Sequence, residues 1–290
     1  MAEENQKDKI ITFFVNALEK VFANYSKRYN SCIKNFSDDS VHDLRVSIRR
    51  FTALLKLLES LYPNEYISQL KRVIKQQLKA FSKLRDTDVQ IGNLKDVIHK
   101  EPVLYTFYNS LLKNETDLIN GIQESLPDYN IIEIEGLVLF IRMELKKQIY
   151  ANPVSENQII MIAKQAFIRV FDLYEEANAE DLDSVHKVRL AFKNYRYLME
   201  IIQTMEPDTK YNFEAMKEFQ TILGNIQDNV SLLRDLQSFI SFQWEIPDDA
   251  YKPAIEVIMK QRDELLKEFF NYRARLDALW DDSYFKKIDN

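Results

Sequence analysis

Apolar residues recur along this chain at intervals of three and four residues, which is the spacing of amphipathic helices. Six of the seven prolines stand between such stretches, where helices end or begin. Residues 130–134 come nearest to a strand and are too short to build a sheet. The pattern therefore predicts an all-α protein with helices near residues 6–35, 40–61, 65–98, 102–125, 134–150, 155–179, 184–205, 209–243 and 249–280.

An internal repeat divides the chain into two similar halves. The sequence SVHDLRVSIR at 40–49 returns as SVHKVRLAFK at 184–193, an offset of 144 residues. A second match follows about forty residues later, where Asp86 corresponds to Asp228. Because short connections favour antiparallel neighbours, we expect two pseudo-symmetric antiparallel four-helix bundles, formed by residues 1–152 and 153–290.

Each copy of the repeat places basic residues on one narrow helix stripe, opposite its apolar face. At 100° per residue, the first stripe contains His42, Arg45, Arg49 and Lys56. The second stripe reproduces it with four residues: His186, Arg189, Lys193 and Arg196. Asp86 and Asp228, which close the second motif in each half, are expected to pair with an arginine across the bundle.

Charge is strongly partitioned along the chain, although the formal net charge is −6. Residues 41–85 hold ten lysines and arginines against three acids, whereas residues 185–229 hold six of each. Part of the excess is a lysine series in the third predicted helix. Lys71, Lys75, Lys79 and Lys83 recur every four residues and are flanked by Arg72 and Arg85. A basic stripe without counter-charges favours an anionic partner, and the guanidinium fork suits phosphate. Histidines would donate hydrogen bonds to phosphoryl oxygens, so we expect affinity to increase below their ordinary pKa of about 6.5.

Composition argues against several other functions. The four glycines lie far apart, which excludes a glycine-rich phosphate loop. Three histidines and one cysteine cannot build a zinc cluster, so we expect no metal and no cofactor. No nucleophilic triad is evident, so we expect no catalysis. The stripe lacks the interleaved aromatic residues of a nucleic-acid site. No apolar run is long enough for a membrane span, and the first residues do not form a signal peptide. The single cysteine fits a reducing compartment, so a cytoplasmic location is predicted.

The doubled His-x-x-Arg-x-x-x-Arg/Lys helix resembles the CHAD family, the conserved histidine α-helical domain. The similarity covers essentially the whole chain, including the segments 41–50, 84–86, 185–197 and 223–228. It implies two helical bundles about a pseudo-twofold axis, with a basic central channel that binds inorganic polyphosphate without established catalysis. The sequence departs from the family pattern in its second half, where Asn194, Glu200 and Gln227 replace cations equivalent to Arg50, Lys56 and Arg85.

Repeat, charge and resemblance together predict a non-enzymatic protein that binds inorganic polyphosphate or another phosphate polyanion. The candidate site comprises His42, Arg45, Arg49, Arg50, Lys75, Lys79, Lys83, Arg85, His186, Arg189, Lys193 and Arg196. One alternative is a helical scaffold whose stripe docks an acidic protein. Another is polyphosphate or nucleotide hydrolysis, which would need a carboxylate metal cluster that the sequence does not reveal.

Overall fold

Helices provide nearly all the regular structure in residues 2–95, 97–126, 129–205 and 211–280, the parts of the chain that the computed structural model describes. Ten α-helices lie within these ranges: α1 Ala2–Asn35, α2 Asp38–Leu61, α3 Glu65–Lys95, α4 Tyr105–Ser125, α5 Ile131–Ala151, α6 Glu156–Glu175, α7 Leu182–Met205, α8 Phe213–Phe242, α9 Lys252–Asn271 and α10 Arg273–Leu276. Three short 3₁₀ turns accompany them, at Pro102–Leu104, Asp248–Tyr251 and Asp277–Leu279. The prediction of an all-α protein is confirmed. Within the described residues, β structure is limited to one isolated bridge between Asn178 and Asp181.

Most helix boundaries agree with the sequence pattern to within a few residues. The clearest difference is α5, which begins at Ile131, so the segment compared with a strand is the first turn of a helix. Its cap explains the difference, because the Asn130 side chain accepts hydrogen bonds from the amides of Ile132 and Glu133. The last predicted helix is interrupted at Tyr272, between α9 and α10. Residues 96, 209 and 210 of the predicted helices lie outside the described residues, as do 281–290 of the predicted second half.

The repeat appears as two equivalent helices at the centre of the molecule. α2 and α7 each span 24 residues and keep the 144-residue offset at both ends. They pack against each other, and α3 likewise packs against α8. Around these four central helices, α1 packs on α2, α4 and α5 pack on α3, α6 packs on α7, and α9 packs on α8.

Two apolar clusters fill the interior, and both contain residues from each predicted half. The larger cluster reaches Leu84 on α3 and Ile226 on α8, and the smaller one includes Ile91 and Leu232 further along the same helices. The intervening turns carry polar side chains into the interior, where they need hydrogen-bonding or charged partners. The boundary predicted between residues 152 and 153 falls in the α5–α6 connection, and the division into two bundles stays a prediction.

Candidate functional site

A cavity of about 240 Å³ opens where α2, α3, α7 and α8 meet, at the polar layer between the two apolar clusters. Four arginines and a histidine line it: Arg45, Arg49, His186, Arg189 and Arg234. Two carboxylates also line it, Asp86 from α3 and Asp228 from α8. The cavity therefore collects basic side chains from both halves of the repeat.

Two of the arginines come from α2, where their four-residue spacing places them on one face. The Arg45 guanidinium donates to the Ser82 hydroxyl at 3.3 Å and lies 3.5 Å from an oxygen of Asp86, as expected of a pair across the bundle. Burial lowers the pKa of Arg45 to about 10, while Asp86 acts in the opposite direction, so Arg45 remains charged at neutral pH. Arg49 forms no ion pair or side-chain hydrogen bond with the described residues, which leaves its guanidinium available to a ligand.

The second half contributes two basic residues from α7. The Arg189 Nε is buried and finds no hydrogen-bond partner among the described residues. Burial also lowers the pKa of Arg189. Lys193 lies one turn further on and does not itself line the cavity. Burial lowers its pKa to about 6, and the positive charges of Arg189, Arg49 and Arg45 add to the decrease. The three arginines therefore repel one another, and their combined charge favours the neutral form of Lys193.

Carboxylates balance this cluster only in part. Asp228 attracts both Arg189 and Lys193, but burial raises its own pKa. The carboxylate of Asp86 is 65% exposed, so solvent weakens its effect on the cluster. A buried positive charge without a close counter-ion is costly, and an anion bound in the cavity would remove that cost.

The two repeated histidines have different environments. His186 lines the cavity, and its Nδ1 is hydrogen-bonded to the amide oxygen of Gln227. Because the Gln227 amide nitrogen donates to the Ser231 hydroxyl at 3.2 Å, the oxygen is the acceptor and the His186 Nδ1 carries a proton. The His186 Nε2 is thereby left for a ligand. His42 is exposed and does not line the cavity.

Three other predicted site residues have partners elsewhere. The Arg50 guanidinium donates to Glu200 at 2.7 Å, and Arg196 lies 3.4 Å from the same carboxylate. Arg50 and Glu200 line a separate, mostly apolar cavity between α1, α2 and α7. Arg85 forms an ion pair with Asp38 in the first turn of α2. None of the three lines the central cavity.

The predicted lysines of α3 lie on the surface beside the cavity. Lys75, Lys79 and Lys83 are exposed and form no ion pair with the described residues. Lys75 and Lys79 share the face of α3 that carries Ser82 and Asp86, whereas Lys83 lies about a quarter turn away. Positive charge therefore continues from the cavity along α3.

Sequence reasoning missed Arg234, which lines the cavity from α8. Its guanidinium donates to Asp235 at 2.8 Å, and the Gln90 side chain donates to the same carboxylate at 2.6 Å. The repeat gives no signal for this residue, because the equivalent position in the first half is Gly92. The spacing of Gln227, Ser231 and Arg234 could have indicated a shared face of α8.

Neither a cluster of metal-ligating side chains nor a membrane-spanning helix is present in the described part of the chain. Within it, no three His, Cys, Asp or Glu side chains lie close enough to hold a metal ion. None of its helices is both long and apolar enough to cross a membrane.

Comparison with known proteins identifies the family. A model of the CHAD domain matches residues 16–125 and 142–237. The structure is similar to the crystal structure of the CHAD domain from the plant Ricinus communis, with a TM-score of 0.66 and 20% identity over 94% of this chain and 90% of that chain. It is also similar to PptA from Streptomyces chartreusis, with a TM-score of 0.66 and 12% identity over 91% of this chain and 99% of that chain. A search of curated proteins found no match. Because the family model covers most of the sequence and both copies of the repeat, the chain belongs to the CHAD domain family.

Proposed function

We propose that this protein binds inorganic polyphosphate, or another phosphate polyanion, in the central cavity without acting on it chemically. One observation carries the proposal: Arg45, Arg49 and Arg189 come from both halves of the repeat, line one cavity and lack sufficient counter-charge. The family resemblance implies the same class of ligand.

The chemistry of the lining fits phosphoryl oxygens. Each guanidinium can donate two parallel hydrogen bonds to a phosphoryl group, and such charge-assisted bonds strengthen where water is excluded. The His186 Nε2 can donate a further bond when the ring is protonated. Bound phosphate would also relieve the repulsion among the arginines and Lys193.

The dimensions of the site favour a chain that extends beyond the cavity. At about 240 Å³ the cavity is smaller than the roughly 300–1,000 Å³ of typical small-molecule sites. A long polyanion would therefore place a few phosphoryl groups inside the cavity, and the rest of the chain would run out over the protein surface. Lys75 and Lys79 lie along that exit on α3 and would contact the backbone of the chain as point charges.

Filter-binding titrations of long-chain polyphosphate test the site with Arg49→Gln and Arg189→Gln. Each substitution removes charge-assisted hydrogen bonds worth about 1.5–3 kcal/mol, so affinity should fall about 10- to 100-fold. The slope of affinity against salt should also become shallower by about one for each arginine removed. Both variants should fold, because each loses a cation from a repelling cluster.

Arg50→Gln is the matched control, since Arg50 neighbours Arg49 on α2 but pairs with Glu200 outside the cavity. Its affinity should stay within about twofold of the wild type, well below the effect of a lost charged hydrogen bond. Unchanged affinity in a variant that combines Arg49→Gln and Arg189→Gln would contradict the proposed site. Equal displacement of polyphosphate by polyglutamate would favour the scaffold for acidic proteins instead. Phosphate release with Mg²⁺ or Mn²⁺ would contradict the absence of catalysis.

A further inference from the structure

Helix α5 carries two apolar faces, of which only one is buried. The buried face packs against α1 and α3 and includes Leu137, Ile141 and Leu145. Large apolar side chains also cover the opposite side, which faces solvent. An exposed apolar stripe of this length is unusual on a soluble helix and marks a contact surface.

The exposed side chains form a continuous stripe, which we call the α5 outer stripe: Ile132, Leu139, Phe140 and Met143. Their exposed fractions range from 44% for Leu139 to 74% for Ile132. At 100° per residue, Ile132, Leu139 and Met143 fall within about 40° of one another, and Phe140 lies at one edge. One face of the Phe140 ring stacks on Tyr66, with a centroid separation of 5.1 Å. The first three members in chain order lie between the two segments matched by the family model.

Charged residues flank the stripe in a self-complementary order. Glu133 and Glu135 lie near the N-terminal end of α5, and Lys146 and Lys147 lie near its C-terminal end; all four are exposed. Lys147 also contacts Glu144 of its own helix at 2.6 Å. Glu135 and Lys146 border one side of the stripe, whereas Glu133 and Lys147 border the other. On each side of the stripe, the acid precedes Phe140 by about the same number of residues as the lysine follows it.

We propose that two copies of this chain associate through antiparallel packing of their α5 outer stripes, about a two-fold axis beside Phe140. A two-fold axis reverses direction along the helix but keeps each flank on its own side. Glu135 of one copy therefore meets Lys146 of the other, and Glu133 meets Lys147. A parallel arrangement would instead place like charges together, which is unfavourable at an interface.

The same register explains a glycine in the middle of the stripe. Met143 lies three residues after Phe140 and Gly136 lies four residues before it, so the thioether of one copy packs near Gly136 of the other. A Cβ added at Gly136 would meet no atom within 4 Å in the isolated chain, so internal packing does not require glycine there. The flexible methionine side chain can fill this shallow depression.

Analytical ultracentrifugation of the full chain at micromolar concentration tests the association. We expect a dimer, and Met143→Glu should raise its dissociation constant at least about tenfold because it buries a carboxylate in the apolar stripe. Ile168→Glu is the matched control, because Ile168 is similarly exposed on α6 and lies outside the stripe. A monomer throughout this concentration range would overturn the proposal, and so would a dimer unaffected by Met143→Glu.

Charge reversal and cross-linking test the orientation. Lys146→Glu should weaken the dimer, and addition of Glu135→Lys in the same chain should restore it, because both copies then regain opposite charges. Phe140→Cys should form an intermolecular disulfide under mild oxidation, whereas Ile168→Cys should not. Failure of both the rescue and the cross-link would contradict the antiparallel register. If the chain is instead a monomer that co-sediments with phosphatidylcholine vesicles through this stripe, the stripe binds a lipid surface and the proposal is overturned. None of these residues lines the central cavity, so the outcome is independent of polyphosphate binding.

Discussion

Binding of an anion in the central cavity is expected to drive uptake of a proton by Lys193. Arg45 and Arg49 face this lysine from α2, Arg189 faces it from α7, and Asp228 faces it from α8. Burial, reinforced by the three arginines, lowers the Lys193 pKa from 10.5 to about 6. A phosphate chain held by the same arginines would supply the missing negative charge and raise that pKa.

The size of the effect follows from the two protonation states. At pH 8, two pH units above a pKa of about 6, only about one empty site in a hundred carries a protonated Lys193. If bound phosphate restores the pKa towards its ordinary value of 10.5, nearly every occupied site carries the proton. Uptake should therefore approach one proton per site. Because the bound state then holds more protons than the free state, affinity should fall as pH rises, by up to about tenfold per pH unit above pH 6.

Isothermal titration calorimetry measures this uptake directly. Polyphosphate is titrated at pH 8 in buffers of different ionisation enthalpy, and the slope of observed heat against buffer enthalpy gives the number of protons bound. The wild type should give a value near one, and Lys193→Met should give a value near zero. Lys79→Met is the control, because Lys79 is an exposed lysine outside the arginine cluster, and its uptake should match that of the wild type.

Thermal unfolding without ligand provides a second measurement of the same lysine. Because the pKa of Lys193 is lowered in the native state, the unfolded chain binds more protons than the native chain between pH 6 and 10.5. Lys193 therefore destabilises the native state more and more as pH falls through that window. Lys193→Met should therefore raise the Tm, with a larger increase at pH 7 than at pH 9. Equal proton uptake in the wild type and Lys193→Met, or a Tm difference independent of pH, would refute the reasoning.

Two further predictions concern residues outside the cavity. Glu200→Gln leaves two partly buried guanidinium groups without their shared carboxylate, so the free energy of unfolding in urea should fall by about 1–2 kcal/mol. Polyphosphate affinity should stay the same, and a large loss of affinity would show that the binding site also includes that side of α7. Burial raises the pKa of the Cys32 thiol to about 11, so an aromatic disulfide reagent should leave the native protein unmodified at pH 8 but react in urea. Rapid modification of the native chain would contradict this burial.

The helices could be predicted from the sequence because their apolar periodicity is long and is interrupted by prolines. α2 and α7 were further marked by the repeat, which gives equal lengths at the same offset. The first turn of α5 was missed because its isoleucines have strand character, and the capping role of Asn130 outweighed that local pattern. The break at Tyr272 depends on how the end of α9 packs, which periodicity does not report.

The site was predictable only where helix phase decides the outcome. Phase grouped Arg45 with Arg49 and placed Arg189 on the equivalent face of α7, and all three line the central cavity. Arg196 has the same phase but pairs with Glu200 at i+4, a local interaction that the sequence contains. The ion pair between Arg50 and Glu200 joins residues 150 positions apart, so no local pattern could reveal it.

The three departures of the second half from the family pattern acquire a common explanation in the structure. Each residue that replaces a cation is a hydrogen-bond acceptor for a basic side chain. Glu200 accepts from Arg50 at 2.7 Å, and Asn194 accepts from Lys56 at 3.5 Å. Because Asn194 is the repeat equivalent of Arg50 and Glu200 that of Lys56, these two contacts are reciprocal, as expected for two helices related by a two-fold axis.

The third departure accounts for the difference between the two histidines. Gln227 offers an oxygen that accepts from the His186 ring, whereas the equivalent Arg85 has only donors and cannot hold His42 in this way. Arg85 instead pairs with Asp38, whose equivalent in the second half is Leu182. Each half thus contributes two arginines to the cavity, and the second half also supplies acceptors that orient basic groups. Loss of cations from the second copy is therefore compatible with an anion site shared by both halves, because the substituted positions support the cations that remain.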